Sequence, residues 1–188
     1  MGRWEPDAES RFRAAALELF GEIGYEQTTV AAIAERAGLT SRTFFRYFTD
    51  KREVLFNGSE RLQQIMVNAL TQAPSDASVA EAIEAALISA GSFFEEALRP
   101  FARLRSSVIL ANTELREREL IKMATLASAL AQALRARGAD ESDASLAAEA
   151  GIVVFRIAFL QWVSESEQGD YAQIVKDSLA RLRVLTAR

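Results

Sequence analysis

Residues 28–56 read TTVAAIAERAGLTSRTFFRYFTDKREVLF, and their centre, LTSRTFFRYFTDK, packs four aromatic rings and three cations into thirteen positions of a chain with net charge -4. Phenylalanine favours a core and arginine favours water, so spacing decides which residue takes which role. With successive residues about 100° apart on a helix, Arg42, Arg46, Thr43 and Tyr47 fall at about 0°, 40°, 100° and 140°, and Phe44, Phe48 and Phe45 at about 200°, 240° and 300°. The two sets separate. The three Phe rings are expected to bury against preceding helices, leaving two guanidiniums, a hydroxyl and a phenol on the other side. Rings and cations on opposite sides do not make a single-strand stacking platform, where the two are interleaved. The polar side holds residue types that read a major groove: Arg for guanine O6 and N7, Thr for a thymine methyl or a phosphate, Tyr for a phosphate oxygen. An ordinary solvated face is the alternative. Against it stands the expected placement of Arg42 in the first turn of its helix and Lys51 in the first turn of the next. A cation there opposes the helix dipole at a cost of about a few tenths of a kcal/mol, and an incoming phosphate reverses that sign.

Working outward, Phe12, Ala15, Ala16, Leu19, Phe20 and Ile23 repeat with helical spacing after a lead-in at Trp4 to Pro6, and Gly24 closes that helix. Thr28 and Thr29 offer an N-cap for a shorter helix with Val30, Ile33, Ala34 and Ala37 on one face, closed by Gly38. A third begins at Thr40 or Ser41 and stops by Thr49, because Asp50 and Glu53 have capping-box spacing for a fourth. Three short helices with a tight glycine turn between the second and third have helix-turn-helix spacing. Longer helices are expected over 50–72, 78–98, 101–118, 119–137, 143–166 and 171–186, separated by QAPSD, Arg99-Pro100, RGADESD and EQGD. No glycine or proline marks the break near 118. The expectation is an all-α chain of about nine helices, with a helix-turn-helix DNA-binding domain over 1–48 and a larger helical domain over 49–188.

A chain of 188 residues with 49% hydrophobic content is long enough for a sizeable core. It has no Cys and no His, which removes disulfides, thiolate or imidazole metal ligands, and Ser-His or Cys-His catalysis. No metal, no cofactor and no enzyme activity are expected. The opening MGRWEPDAESR lacks the apolar stretch of a signal peptide, and no apolar run reaches the roughly 18 residues of a membrane span, so a soluble cytoplasmic protein with no membrane partner is expected. Basic character is confined to one window, where Arg36, Arg42, Arg46, Lys51 and Arg52 face a single acid, Asp50.

The segment 28–56 resembles the amino-terminal domain of TetR-family transcriptional regulators, through Thr29, Ile33-Ala34, Ala37-Gly38-Leu39-Thr40, Thr43-Phe44-Phe45, Tyr47-Phe48 and Asp50-Lys51. Beyond residue 60 the likeness rests on helix count and length. The resemblance implies that Thr28 and Thr29 bind phosphate through hydroxyl and backbone N–H. It places Thr40 with Ser41, Arg42 and Thr43 at the groove-entering end of the recognition helix, gives Arg46 bases or phosphate, and gives Tyr47 and Lys51 phosphate contacts. Two positions depart from the family pattern. Many members have Tyr where this chain has Phe45, which has no hydroxyl for a phosphate, and many have a small residue where it has Arg42, whose length suits direct readout of a guanine.

One short helix offers too little contact for specific affinity, whereas a dimer presents two, to half-sites about 34 to 36 Å apart. A homodimer and a palindromic double-stranded DNA operator are therefore expected. From Leu146 to Val163 apolar residues occupy every side of the helix, which demands cover all round. Pairing with a second copy through Val153, Val154, Arg156, Ile157, Leu160 and Gln161, with Ile174 and Leu182 of the last helix, supplies it; a central core helix is the other explanation. The resemblance further implies an inducer pocket in the larger domain, whose ligand releases the operator. Phe94, Ile109, Met123, Phe155, Phe159 and Trp162 are candidate lining residues or plain core, and Arg105 and Asn112 are polar candidates for orienting a small, largely hydrophobic effector. A ligand-responsive repressor, a DNA-binding protein whose bundle only dimerises, and an all-helical carrier or enzyme are the three function classes weighed.

Overall fold

The computed structural model describes residues 7–164 and 169–187, and the lead-in at Trp4 to Pro6 and part of the EQGD separator lie outside them. The described residues form ten α-helices, two short 3-10 turns and no strand. These are α1 (Ala8–Glu22), α2 (Val30–Arg36), α3 (Ser41–Tyr47), α4 (Glu53–Phe56), α5 (Ser59–Gln72), α6 (Val79–Ser89), α7 (Arg99–Ala111), α8 (Thr113–Ala136), α9 (Glu141–Trp162) and α10 (Tyr171–Thr186). With the single turn α4 counted as the broken start of α5, the number is the nine expected. Two compact units result. The first takes the described residues up to Asn57 together with Phe101–Glu119, and the second takes Gly58–Pro100 together with the described residues from Leu120 onward.

Caps set the first three helices. Asp7 accepts from Ser10 N at α1, Thr29 from Ala32 N at α2 and Thr40 from Thr43 N at α3. Each bond satisfies an otherwise orphan N–H, about 1 kcal/mol per cap. Gly38, at φ 64°, turns the chain between α2 and α3, a conformation a side chain resists. Arg11 fastens the same turn by donating to the Ala37 carbonyl at 2.5 Å.

The core of the first unit is aromatic. Phe12 meets Phe44 edge-on at 5.2 Å and Phe48 at 6.2 Å, with Phe44 and Phe48 5.1 Å apart. Ile33 and Ala34 of α2 and Val54, Leu55 and Phe56 of α4 complete that core with Val108, Ile109 and Leu115. In the second unit Met66, Leu70, Leu87, Leu130 and Leu134 are buried with Ala148, Ile152, Trp162, Tyr171 and Val175. There Arg137 donates to the carbonyls of Thr71, Ala73 and Pro74, closing the exposed end of α5 with a cation where the dipole favours one.

The expected boundaries change in four places. The helix expected over 50–72 splits at Asn57-Gly58, where Gly58 adopts φ 97°. Asp50 accepts from the N–H groups of Arg52 and Glu53, but the Glu53 carboxylate pairs with Arg118 instead of reaching back, so only half of the capping box exists. The helix expected over 78–98 ends at Ser89 and gives way to 3-10 turns at Ala90–Ser92 and Glu96–Leu98. The break expected near 118 falls at Asn112, whose amide donates to the Val108 carbonyl at 2.6 Å and closes α7. Finally, Arg99-Pro100 starts α7 instead of separating helices, since a proline in the first turn forfeits no helical bond.

Candidate nucleic-acid interface and candidate effector site

The short helix α3 is held by a narrow buried stripe. Phe44 is fully buried and Phe48, just past the helix end, is 3% exposed, whereas Phe45 is 59% exposed and meets only the edge of Phe44. The expectation that three Phe rings anchor the helix is corrected to two. Phe45 lies about 100° round the helix from Phe44, so the core receding beneath Phe44 does not reach it. It stands exposed, as do Arg42 and Arg46.

The basic window shrinks once partners are assigned. Arg36 pairs with Glu22 at 2.8 Å and Glu18 at 3.3 Å, and its hydrogen bonds hold the Glu22 carboxyl below its ordinary range. Arg52 bonds Asp50 and Glu114. Lys51 donates to three main-chain carbonyls, those of Tyr25 at 2.8 Å, Thr28 at 3.1 Å and Glu26 at 3.3 Å, and its ammonium sits 4.2 Å from the Tyr25 ring centre. An ammonium has three N–H bonds, and all three are engaged. Lys51 also precedes α4 and does not stand in its first turn. Lys51 thus ties the turn before α2 to the segment after α3. Arg42 and Arg46 remain on the surface. Arg42 is exposed with no ion-pair partner among the described residues, and Arg46 touches only the Tyr47 hydroxyl at 3.2 Å, its guanidinium 5.4 Å from that ring.

The hydroxyls divide similarly. Thr28 is 1% exposed and donates to the Gly24 carbonyl at 2.8 Å, so its side chain is withdrawn from any phosphate. Thr29 is exposed at the start of α2 while its oxygen caps Ala32 N at 3.1 Å, leaving its own proton for an anion. Thr40 and Thr43 hydroxyls lie 2.9 Å apart at the start of α3, next to half-buried Ser41. Thus α2 and α3 present Thr29, Arg42, Arg46 and Tyr47 outward with an exposed Phe45 among them. Sequence reasoning missed Phe45, although its position on the wheel, 60° from Arg42, was the available signal.

Residues 12–57 match the family model for bacterial regulatory proteins of the tetR family. Over those residues the chain is similar to TetR-family regulators. Curated proteins similar to it include the HTH-type transcriptional regulator TcmR of Streptomyces glaucescens, 39% identical over 71 residues, 38% of this chain and 31% of TcmR. The transcriptional regulator MftR of Mycobacterium tuberculosis is 32% identical over 117 residues, 61% of this chain and 58% of MftR. The matches thus span less than two thirds of either relative. Among solved structures, Bacillus subtilis FadR in complex with stearoyl-CoA is 21% identical with a TM-score of 0.62, covering 92% of this chain and 96% of FadR. Thermus thermophilus FadR, a TetR-family repressor in complex with lauroyl-CoA, is 23% identical with a TM-score of 0.54, covering 96% of each chain. At these identities the likeness is one of fold.

The eight residues considered for an effector are divided between the two units. Arg105, Ile109 and Asn112 belong to the first unit. Arg105 donates to the Leu55 carbonyl at 2.6 Å and pairs with Glu119 at 3.0 Å, Ile109 is core, and Asn112 closes α7. Their polar and apolar capacity is already used within the fold. Half-buried Met123 lies on α8 in the second unit. The other four gather: Phe94 lies 6.0 Å from Phe155, 5.3 Å from Phe159 and 5.4 Å from Trp162 between ring centres. Tyr171, which the sequence reading did not single out for a ligand, is closer still, at 4.8 Å.

The residues considered for pairing also divide. Val154 and Ile174 are 3% exposed and face their own unit's core, so they are withdrawn from a surface role. Val153, Ile157 and Leu160 are exposed along α9 with Arg156 and Gln161, and Leu182 of α10 is half-buried. Among the described residues no helix is long and apolar enough to cross a membrane.

Proposed function

We propose that this chain is a TetR-family, sequence-specific DNA-binding transcriptional regulator, acting as a repressor that binds a palindromic operator as a homodimer and is released by a small, largely hydrophobic effector. The supporting observation is the state of α3: two buried Phe rings fix the helix while Arg42 and Arg46 stand exposed without a carboxylate partner among the described residues. In a chain where Arg36, Arg52 and Arg118 are all in ion pairs, two unspent guanidiniums on one helix face suit phosphates and guanine edges.

The roles follow from reach and chemistry. Arg42, at the groove-entering end, reads guanine O6 and N7, and Arg46 takes a base or phosphate. Thr29 and Tyr47 hold the flanking backbone with Thr43. Phe45 faces the groove as an apolar group, and the only apolar substituent a major groove offers is the thymine methyl. The apolar stripe of Val153, Ile157 and Leu160, exposed on one chain, is covered by its copy, which brings two reading helices to one duplex. The larger carboxyl-terminal portion, from residue 49, takes the effector-binding and dimerising role. A hydrophobic effector is in keeping with the acyl-CoA held by two proteins of the same fold. It needs only to prefer the conformation with the wrong half-site separation, and operator release is no larger than that preference.

Replacement Arg42→Ala tests the assignment. Binding to a selected operator falls by about 1 to 3 kcal/mol at the preferred base pair, and discrimination at that pair is lost while other pairs keep theirs. Unchanged affinity and unchanged discrimination at every position would show that α3 does not read DNA through this face.

A further inference from the structure

Phe94 occupies the middle of a ring of aromatic side chains. Phe155, Phe159, Trp162 and Tyr171 surround it at 4.8 to 6.0 Å between centres, all tilted against it by 37 to 56°. The four surrounding rings stand on α9 and α10 or immediately at their ends, whereas Phe94 comes from the non-helical stretch between the two 3-10 turns and is only half-buried. A rigid cage thus holds a side chain borne on irregular backbone. The Tyr171 hydroxyl, in a residue only 1% exposed, has no hydrogen-bond partner among the described residues. A phenol buried this way loses its bonds to water and gains nothing, so an apolar ring alone would pack there at less cost. The hydroxyl has a purpose if a visiting molecule supplies its partner.

We infer that the Phe155–Phe159–Trp162–Tyr171 cage is a binding site for a small uncharged aromatic molecule with one hydrogen-bonding substituent, that Phe94 fills the place of the ligand's ring when the site is empty, and that the Tyr171 hydroxyl bonds the substituent. An uncharged ligand fits because the neighbouring cation is committed: Arg99 stacks 5.0 Å from the Trp162 ring, donates to the Gly169 carbonyl at 2.7 Å and pairs with Glu96 at 2.8 Å. A ligand carboxylate would have to break these bonds. A ring in the cage recovers the tilted contacts Phe94 now makes. This deepens the effector reading of the second unit and rests on it for any effect on DNA.

The test uses the full chain with p-cresol and toluene as probes of one ring size, differing in the hydroxyl. Calorimetric titration is expected to show p-cresol binding at least fivefold tighter than toluene to the unmodified protein, and no such preference in Tyr171→Phe. Phe94→Ala, or Phe94→Leu if the first variant does not fold, tightens both probes severalfold because the competing ring is gone. Tyr171→Phe without ligand leaves Tm unchanged or raised. A Tm several degrees lower in Tyr171→Phe, a retained preference for p-cresol, or weaker binding in the Phe94 variant overturns the proposal. Operator binding is followed in the same samples. Tight p-cresol binding with the operator retained supports the cage and contradicts its regulatory role; lack of p-cresol binding by a protein that still holds its operator overturns the cage and leaves the DNA reading intact.

Discussion

Phe45 and Lys51 are the residues whose roles the structure changes most. An exposed ring on α3 costs solubility, and the proposed contact with a thymine methyl would offset that cost. One methyl-sized apolar contact is worth about 0.8 kcal/mol, so replacing the facing thymine by deoxyuracil should weaken the unmodified protein about fourfold and Phe45→Ala not at all. Equal losses in both proteins would remove Phe45 from the readout. Lys51 and Arg46 are separated by salt. A lost phosphate contact makes the salt dependence shallower by about 0.9 in log–log slope, which Arg46→Ala should show in measured operator affinities. Lys51→Met should keep the slope and lower the Tm of the protein, because its three carbonyl bonds are structural. A shallower slope in Lys51→Met would restore it to the phosphates. Neither role was legible in the sequence. A wheel assigns half its circumference to the core, while a helix of seven residues buries a much narrower stripe, and the carbonyls that hold Lys51 come from positions 23 to 26 residues earlier, where any residue type would serve.

At the scale of elements, local chemistry was readable where a cap or a left-handed glycine states it. Thr29, Thr40 and Gly38 mark the starts of α2 and α3 to within a residue, and tertiary aromatic packing then holds what are helices too short to stand alone. Breaks hidden inside apolar runs were not readable. Val54, Leu55 and Phe56 continue a helical pattern across Gly58, and Phe93 and Phe94 continue one across the 3-10 turns, so hydrophobic spacing alone runs on through both. The candidate effector site suffers most from this, since Phe94 is placed by irregular backbone that no periodicity describes. The turn between α1 and α2 offers a test by pH. Burial first, and the Glu114 carboxylate next, push the Tyr25 phenol up to about 12. A phenol raised in the folded chain contributes stability in full below its ordinary value of about 10 and loses it as pH rises through the folded value. Denaturant midpoints should therefore fall between about pH 10 and 12, and less so in Tyr25→Phe. An identical alkaline decline in that variant would assign the loss elsewhere.

At the scale of the whole molecule, an anchored α3 and an exposed apolar stripe on α9 are the two features that the proposed dimeric reading of DNA needs. A single α3 supplies too few contacts for specific affinity, and Val153, Ile157 and Leu160 are exposed on one chain, where the proposed second copy would cover them. Apolar residues on every side of residues 146–163 made a demand for cover legible in the sequence; which of them face inward depended on α6 and α10 lying against α9, and Val154 and Ile174 went to that interior. Function at this scale comes down to whether two α3 helices read one duplex. Selection of bound duplexes from a random pool measures that directly. The account predicts an inverted repeat whose half-sites lie about one helical turn apart, each with a guanine for Arg42 and a thymine for Phe45. Enrichment of a single unrepeated site, or of no sequence at all, would contradict it.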